Sequence, residues 1–219
     1  MKVVKVGDWR IFRRRVFTGV GAVCAAFLCG CEDGGGGGGG APADIGENNA
    51  ALVVCVGDSI THGDDGVAYP PYLAALSGKS CSNCGVGGAE AKGGVNLVKS
   101  ALSKKPGYVC ILFGANDAIN GRDASATKEA IRAMVVACKN NKSVPVLGTT
   151  PPMLGEHLNF NDAVDRINQG VREVASEEGA RLADIHGAFG NGEGLLMKDG
   201  LHPNEAGAQK IAECFNKSF

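Results

Sequence analysis

The sequence predicts an α/β domain, a three-layer α/β/α sandwich built on a mostly parallel five-stranded sheet. Two observations lead there. Short apolar runs rich in β-branched residues alternate with stretches of helical periodicity, and the residues just after the main runs are glycines and polar groups rather than more core.

The first strand is read at Ala51–Val56, followed by a short helical pattern at Tyr72–Leu76. A weaker strand spans Lys79–Asn83, with a helix over Gly94–Ser103 after it. Tyr108–Phe113 is the third strand. Its helix, Ala126–Lys139, places Ala130, Ile131, Met134, Val135 and Cys138 on one face at 3.6-residue spacing. Val144–Gly148 and Arg181–Ile185 complete the sheet, flanked by helices over Asp162–Glu178 and Glu205–Asn216. No internal repeat or second domain interrupts residues 50–219, which form the predicted catalytic domain.

Residues 1–30 read as an export signal. They hold six bases and one acid, and Val16–Leu28 is an uncharged run of 13 residues. Spanning a bilayer takes about 20 apolar residues, so this run is too short to stay as a membrane helix. Leu28-Cys29-Gly30-Cys31 resembles a bacterial lipobox, which implies that Cys31 is lipidated and becomes the N-terminus after cleavage. Arg14-Arg15-Val16-Phe17 also resembles the core of a twin-arginine signal. Residues 31–49, with seven consecutive glycines at Gly34–Gly40, read as a flexible tether. As a Gly-rich coil it gives an end-to-end distance of roughly 24 Å. The expected location is therefore a membrane facing the periplasm or the cell exterior, reached through a lipid anchor.

Charge narrows the partners. Beyond residue 30 there are 16 bases against 22 acids, and no basic stretch is available to hold a polyanion, so nucleic acid is not an expected partner. No H-E-x-x-H or paired C-x-x-C motif offers a metal site, and neither metal nor cofactor is expected. The sequence does not fix an oligomeric state.

In open α/β sheets, ligands sit outside the carboxyl ends of the strands. The segments there are Gly57-Asp58-Ser59-Ile60-Thr61 after the first strand, Asn83-Cys84-Gly85-Val86-Gly87-Gly88 after the second, and Gly114-Ala115-Asn116-Asp117 after the third. Asp199-Gly200-Leu201-His202-Pro203 lies near the C-terminus. In that order and spacing, these four segments resemble the SGNH hydrolases, the GDSL family of esterases and lipases, across about residues 50–219. The resemblance implies a flavodoxin-like architecture and a serine hydrolase acting on carboxylic esters. It also implies Ser59 as nucleophile, Asp199 and His202 as its triad partners, and Ser59, Gly88 and Asn116 as oxyanion donors. Gly85 or Gly87 would replace Gly88 if the loop were shifted.

The residues support those roles by their chemistry. A serine hydroxyl needs a base, and the chain has four histidines: His62, His157, His186 and His202. Only His202 has a carboxylate three residues earlier, where one turn brings Asp199 to the ring. Pro203 fits the first position of a following helix. Asp58 and Asp117 read as loop braces, Asp184 as a cap, His62 as an exposed residue near the pocket mouth, and His157 and His186 as loop surface.

The substrate is expected to be a small or lipid-derived acyl ester, of arylesterase or lysophospholipase type, because few aromatic platforms remain for stacking sugars. A carbohydrate O-acetyl esterase of the same family is the alternative. Two further classes stand beside it: an exported thiol-disulfide oxidoreductase using Cys81 and Cys84, and a catalytically silent binding lipoprotein on a hydrolase fold. Against the first, Cys81-Ser82-Asn83-Cys84 runs into a glycine loop rather than opening a helix. If extended, its alpha carbons stand roughly 10 Å apart, too far to bridge. Six domain cysteines leave every disulfide pairing open.

Overall fold

A computed structural model describes residues 44–219. The signal, the Cys31 lipidation site and tether residues 31–43 lie outside the described residues. Five parallel strands form one sheet in the order β2-β1-β3-β4-β5: β1 Asn49–Gly57, β2 Ser80–Asn83, β3 Pro106–Leu112, β4 Val144–Gly148 and β5 Arg181–Ala183. The register is fixed by burial on both faces. Val53, Val54, Cys55 and Val56 face Tyr108, Val109, Cys110 and Ile111 across the β1–β3 ladder, and all but the half-buried Tyr108 are buried. A continuous apolar run of this kind is what a sheet covered on both sides demands.

The long helices fall where the periodicity places them: α2 Pro70–Ser77, α3 Ala91–Ala101, α5 Ala124–Asn140, α6 Asn161–Glu178 and α8 Glu205–Asn216. Three one-turn helices, α1 Ser59–His62, α4 Ala115–Ile119 and α7 Ile185–Phe189, lie directly after β1, β3 and β5. One face of α5 buries Ile131, Met134, Val135 and Cys138, four of the five residues read as its core face. Gly94 lets α3 approach β3 closely, because a Cβ there would stand 2.6 Å from the Phe113 ring.

Residues 44–48, which the sequence reading places in the tether, form a turn against the domain: Asn48 Nδ2 donates to the Asn141 carbonyl at 2.6 Å. A second difference concerns Pro203. It sits one residue ahead of the α8 cap rather than at the first helical position, because Asn204 takes the cap and accepts from the Gly207 N–H at 3.0 Å. All six domain cysteines are free thiols. Cys81 lies within extended β2 and Cys84 just beyond it, so the C-x-x-C pair is not joined.

Candidate active site

The site is built at the carboxyl end of β1 and β3. Gly57 ends β1 where any side chain would strike Thr61 and the Leu112 carbonyl, so only glycine allows the chain to turn there. Asp58 then caps α1 by accepting from the Ile60 N–H at 2.9 Å, while its carbonyl accepts from Thr61 and His62. Ser59 is thereby the first residue of the helical turn, a position whose N–H has no intrahelical acceptor and remains available to an anion. Asn83, at the end of β2, clasps the same turn by donating to the Thr61 and His62 carbonyls.

The opposite side of the site is a tight turn between α7 and α8. Asp199 Oδ1 accepts from the N–H groups of Leu201 at 2.9 Å and His202 at 3.1 Å, which shapes the turn around its own carboxylate. Its Oδ2 stands 2.6 Å from His202 Nδ1, and His202 Nε2 stands 2.9 Å from Ser59 Oγ. A carboxylate can only accept, so in the neutral ring the proton lies on Nδ1. Nε2 is then the acceptor for the serine hydroxyl. Burial pushes the Asp199 carboxyl up. The Leu201 N–H, the His202 ring and the His202 N–H outweigh that and hold it below the ordinary carboxylate value. It therefore stays charged and can orient and stabilise an imidazolium.

Asn116 lies in α4, at the end of β3. Its Nδ2 donates one hydrogen to the Ala89 carbonyl at 3.1 Å, which orients the amide and leaves the second hydrogen unused. The neighbouring Gly88 has φ +72°, a left-handed conformation that favours glycine, and open space where a Cβ would be. Its N–H donates to no acceptor among the described residues. Gly85 differs, since its N–H is taken by Asn83 Oδ1 at 3.0 Å and its backbone is pressed against His62. Gly87 packs against the Asp64 carboxylate.

Two buried carboxylates lie beneath these residues. Burial, reinforced by the negative charge of Asp117, raises Asp58 to about 7 against the pull of the Ile60 N–H and of His202. Burial also raises Asp117, which accepts from the Ala91 N–H and the Thr127 hydroxyl, both at 3.0 Å, and so ties α3 to α5. Both act as braces, in line with the sequence reading. Asp184 caps α7 through the Gly187 N–H. His62 is exposed and pairs with Asp64 at 2.6 Å, and His186 lies 3.4 Å from Asp165.

His157, expected on the surface, is part-exposed there, and it has a contact beyond that expectation: its Nδ1 lies 3.0 Å from the Asp199 carbonyl, and the nearby Leu154 N–H donates to the Gly200 carbonyl at 2.7 Å. The segment after β4 therefore grips the Asp199 turn. Nothing local in the sequence marks this, because the two segments are more than 40 residues apart and meet through backbone carbonyls.

Comparison with known proteins bears on the family and the fold. Residues 55–210 match the model of the GDSL-like lipase/acylhydrolase family. An acetylxylan esterase from Xylanibacter ruminicola is 30% identical over 205 residues, covering 76% of this chain. The match spans only 42% of that relative's length. Among solved structures, a G-D-S-L family protein from Desulfitobacterium hafniense superposes with a TM-score of 0.70 at 25% identity, covering 77% of this chain and 99% of its own. A variant of an acetyl-xylooligosaccharide esterase from Geobacillus shares the fold, with a TM-score of 0.63 at 21% identity, covering 78% and 94%.

Proposed function

The chain belongs to the GDSL-like lipase/acylhydrolase family, and on that premise we propose that it hydrolyses carboxylic esters with Ser59 as nucleophile. The observation that carries this reading is the unbroken chain of contacts Asp199–His202–Ser59, at 2.6 and 2.9 Å. His202 Nε2 takes the hydroxyl proton as Ser59 Oγ attacks the acyl carbon, and Asp199 stabilises the imidazolium that forms. The carbonyl oxygen becomes an oxyanion facing the N–H groups of Ser59 and Gly88 and the free hydrogen of the Asn116 amide. His202 then returns its proton to the leaving alcohol, which departs and leaves an acyl-serine. Water, deprotonated by His202, attacks that ester, and the acid is released with Ser59 restored.

For the substrate, the acetylxylan esterase similarity favours an acetyl ester on a carbohydrate, the alternative that the sequence placed second to small or lipid-derived acyl esters. The test is a comparison of acetylated xylo-oligosaccharides, lysophospholipid and p-nitrophenyl esters of increasing chain length. Release of acetate from the oligosaccharide with the highest kcat/KM supports the carbohydrate reading. Preference for lysophospholipid or long acyl chains overturns it.

The lipobox supports a second part of the proposal: Cys31 is the lipidated N-terminus and holds the enzyme at a membrane facing the periplasm or exterior. A single acyl chain binds only marginally, so stable attachment needs at least two. Intact-mass analysis of membrane-extracted protein should give a chain beginning at an acylated Cys31, and an unmodified Cys31 contradicts it.

A further inference from the structure

We infer that the cavity beside the Asp199 turn is a distal subsite for a neutral glycosyl unit of the substrate, an inference that rests on the carbohydrate-ester reading above. The cavity holds about 340 Å³ and lies between the segment after β4 and the turn after α7. That volume is within the roughly 300–1,000 Å³ of ligand clefts. Its position is the first argument. It opens beyond the carboxyl ends of β4 and β5, on the same edge of the sheet that carries Ser59 beyond β1. Two to three strand spacings separate the two places, roughly 10–15 Å. A short oligosaccharide with its ester at Ser59 spans such a gap.

The lining is the second argument. Pro152, Leu154 and Leu158 supply an apolar wall, and Leu158 is 55% exposed with nothing covering it. Asp165, His186 and Glu193 supply a polar rim. A pyranose ring has the matching character, with C–H faces and a border of hydroxyls. None of the lining residues is Lys or Arg, while Asp165 and Glu193 add negative charge, so the rim disfavours a phosphate or carboxylate ligand and suits a neutral sugar.

The third argument is mechanical. Leu154, in the cavity wall, donates its N–H to the Gly200 carbonyl, inside the turn that carries Asp199 and His202. Gly192 packs against Pro152 and the Leu154 side chain from the other side. The cavity and the catalytic turn thus share one scaffold, and a sugar held in the first is held in fixed relation to the second.

The test uses the whole domain with two substrates, acetylated xylotetraose and p-nitrophenyl acetate. Leu158→Asp replaces an exposed side chain, so folding is not at risk. It should lower kcat/KM for the tetraose by roughly tenfold, mainly through KM, as loss of an apolar pocket contact does, and leave p-nitrophenyl acetate unchanged. Glu193→Gln should weaken the tetraose alone in the same way. Independently, unacetylated xylotetraose added to Ser59→Ala protein should shift the methyl signals of Leu154 and Leu158. Methyl signals that stay fixed while the wild type still hydrolyses p-nitrophenyl acetate overturn the subsite and leave the esterase reading standing. An absence of any ester hydrolysis overturns the esterase reading itself.

Discussion

Asp58 shows how a single residue couples the site to stability. Its carboxyl is raised to about 7 from 3.8 by burial, so the folded state holds a proton that the unfolded chain has released. The stability this lends is fully present below pH ~3.8 and is lost as pH rises towards ~7, up to about 4 kcal/mol in all. Asp58→Asn can still cap α1 but no longer titrates, so its unfolding free energy should be flatter than wild type between pH 4 and 7. Parallel curves from denaturant titrations at several pH values would contradict this. Asp199 has the opposite sign. Its lowered pKa contributes stability above the ordinary carboxylate range that is lost as pH falls through its folded value. In turnover, Asp199→Asn should be damaging but less so than loss of Ser59, since it removes orientation and not the nucleophile. Asn116→Ala should cost about 10²–10³ in kcat with little change in KM, because its donor matters once charge develops. Equal loss in KM would reassign Asn116 to substrate binding.

At the scale of elements, β1, β3 and β4 and the helices α3, α5, α6 and α8 are legible because each carries a run or a period of apolar residues, whereas β2, Ser-Cys-Ser-Asn, and the three-residue β5 give a weaker signal. The one-turn helices α1, α4 and α7 are not legible, since four or five residues show no period; they form because tight turns and caps such as Asp58 and Asp184 demand them. Pro203 misled for a related reason. A proline suits the first helical position, but Asn204 takes the cap and starts α8 at Glu205, two positions further on. The grip of His157 and Leu154 on the Asp199 turn was invisible because it is made through backbone carbonyls. That grip makes Gly200 a sensitive position. Its φ is +71° and a Cβ would collide with the Leu154 carbonyl, so Gly200→Ala should lower both thermal stability and turnover. Asp117→Ala strands the Ala91 N–H and loosens Thr127 where α3 and α5 meet, and should destabilise by about 2–4 kcal/mol. A melting curve matching wild type in either variant would show that these ties are dispensable.

For the whole molecule, the order of four short segments along the chain carried the reading of fold and site, because a parallel sheet delivers strand ends to one edge whatever lies between them. Ser59, Asp199 and His202 are separated by up to 143 positions yet join in one run of contacts, and Asn116 is held at the end of β3 by the Ala89 carbonyl. Disulfide pairing was not legible from spacing, and the six free thiols change what reduction should do. A reductant should leave the melting temperature of the domain unchanged, and a drop of several degrees would reveal a bond between cysteines. The central claim is that Ser59 and His202 act in one step, so their losses must not add. It is tested most directly by the turnover of Ser59→Ala, His202→Ala and the double variant on p-nitrophenyl acetate, each first shown to unfold like wild type. All three should fall to the same low residual rate; hydrolysis that persists in folded Ser59→Ala, or a double variant far below both singles, would contradict the account.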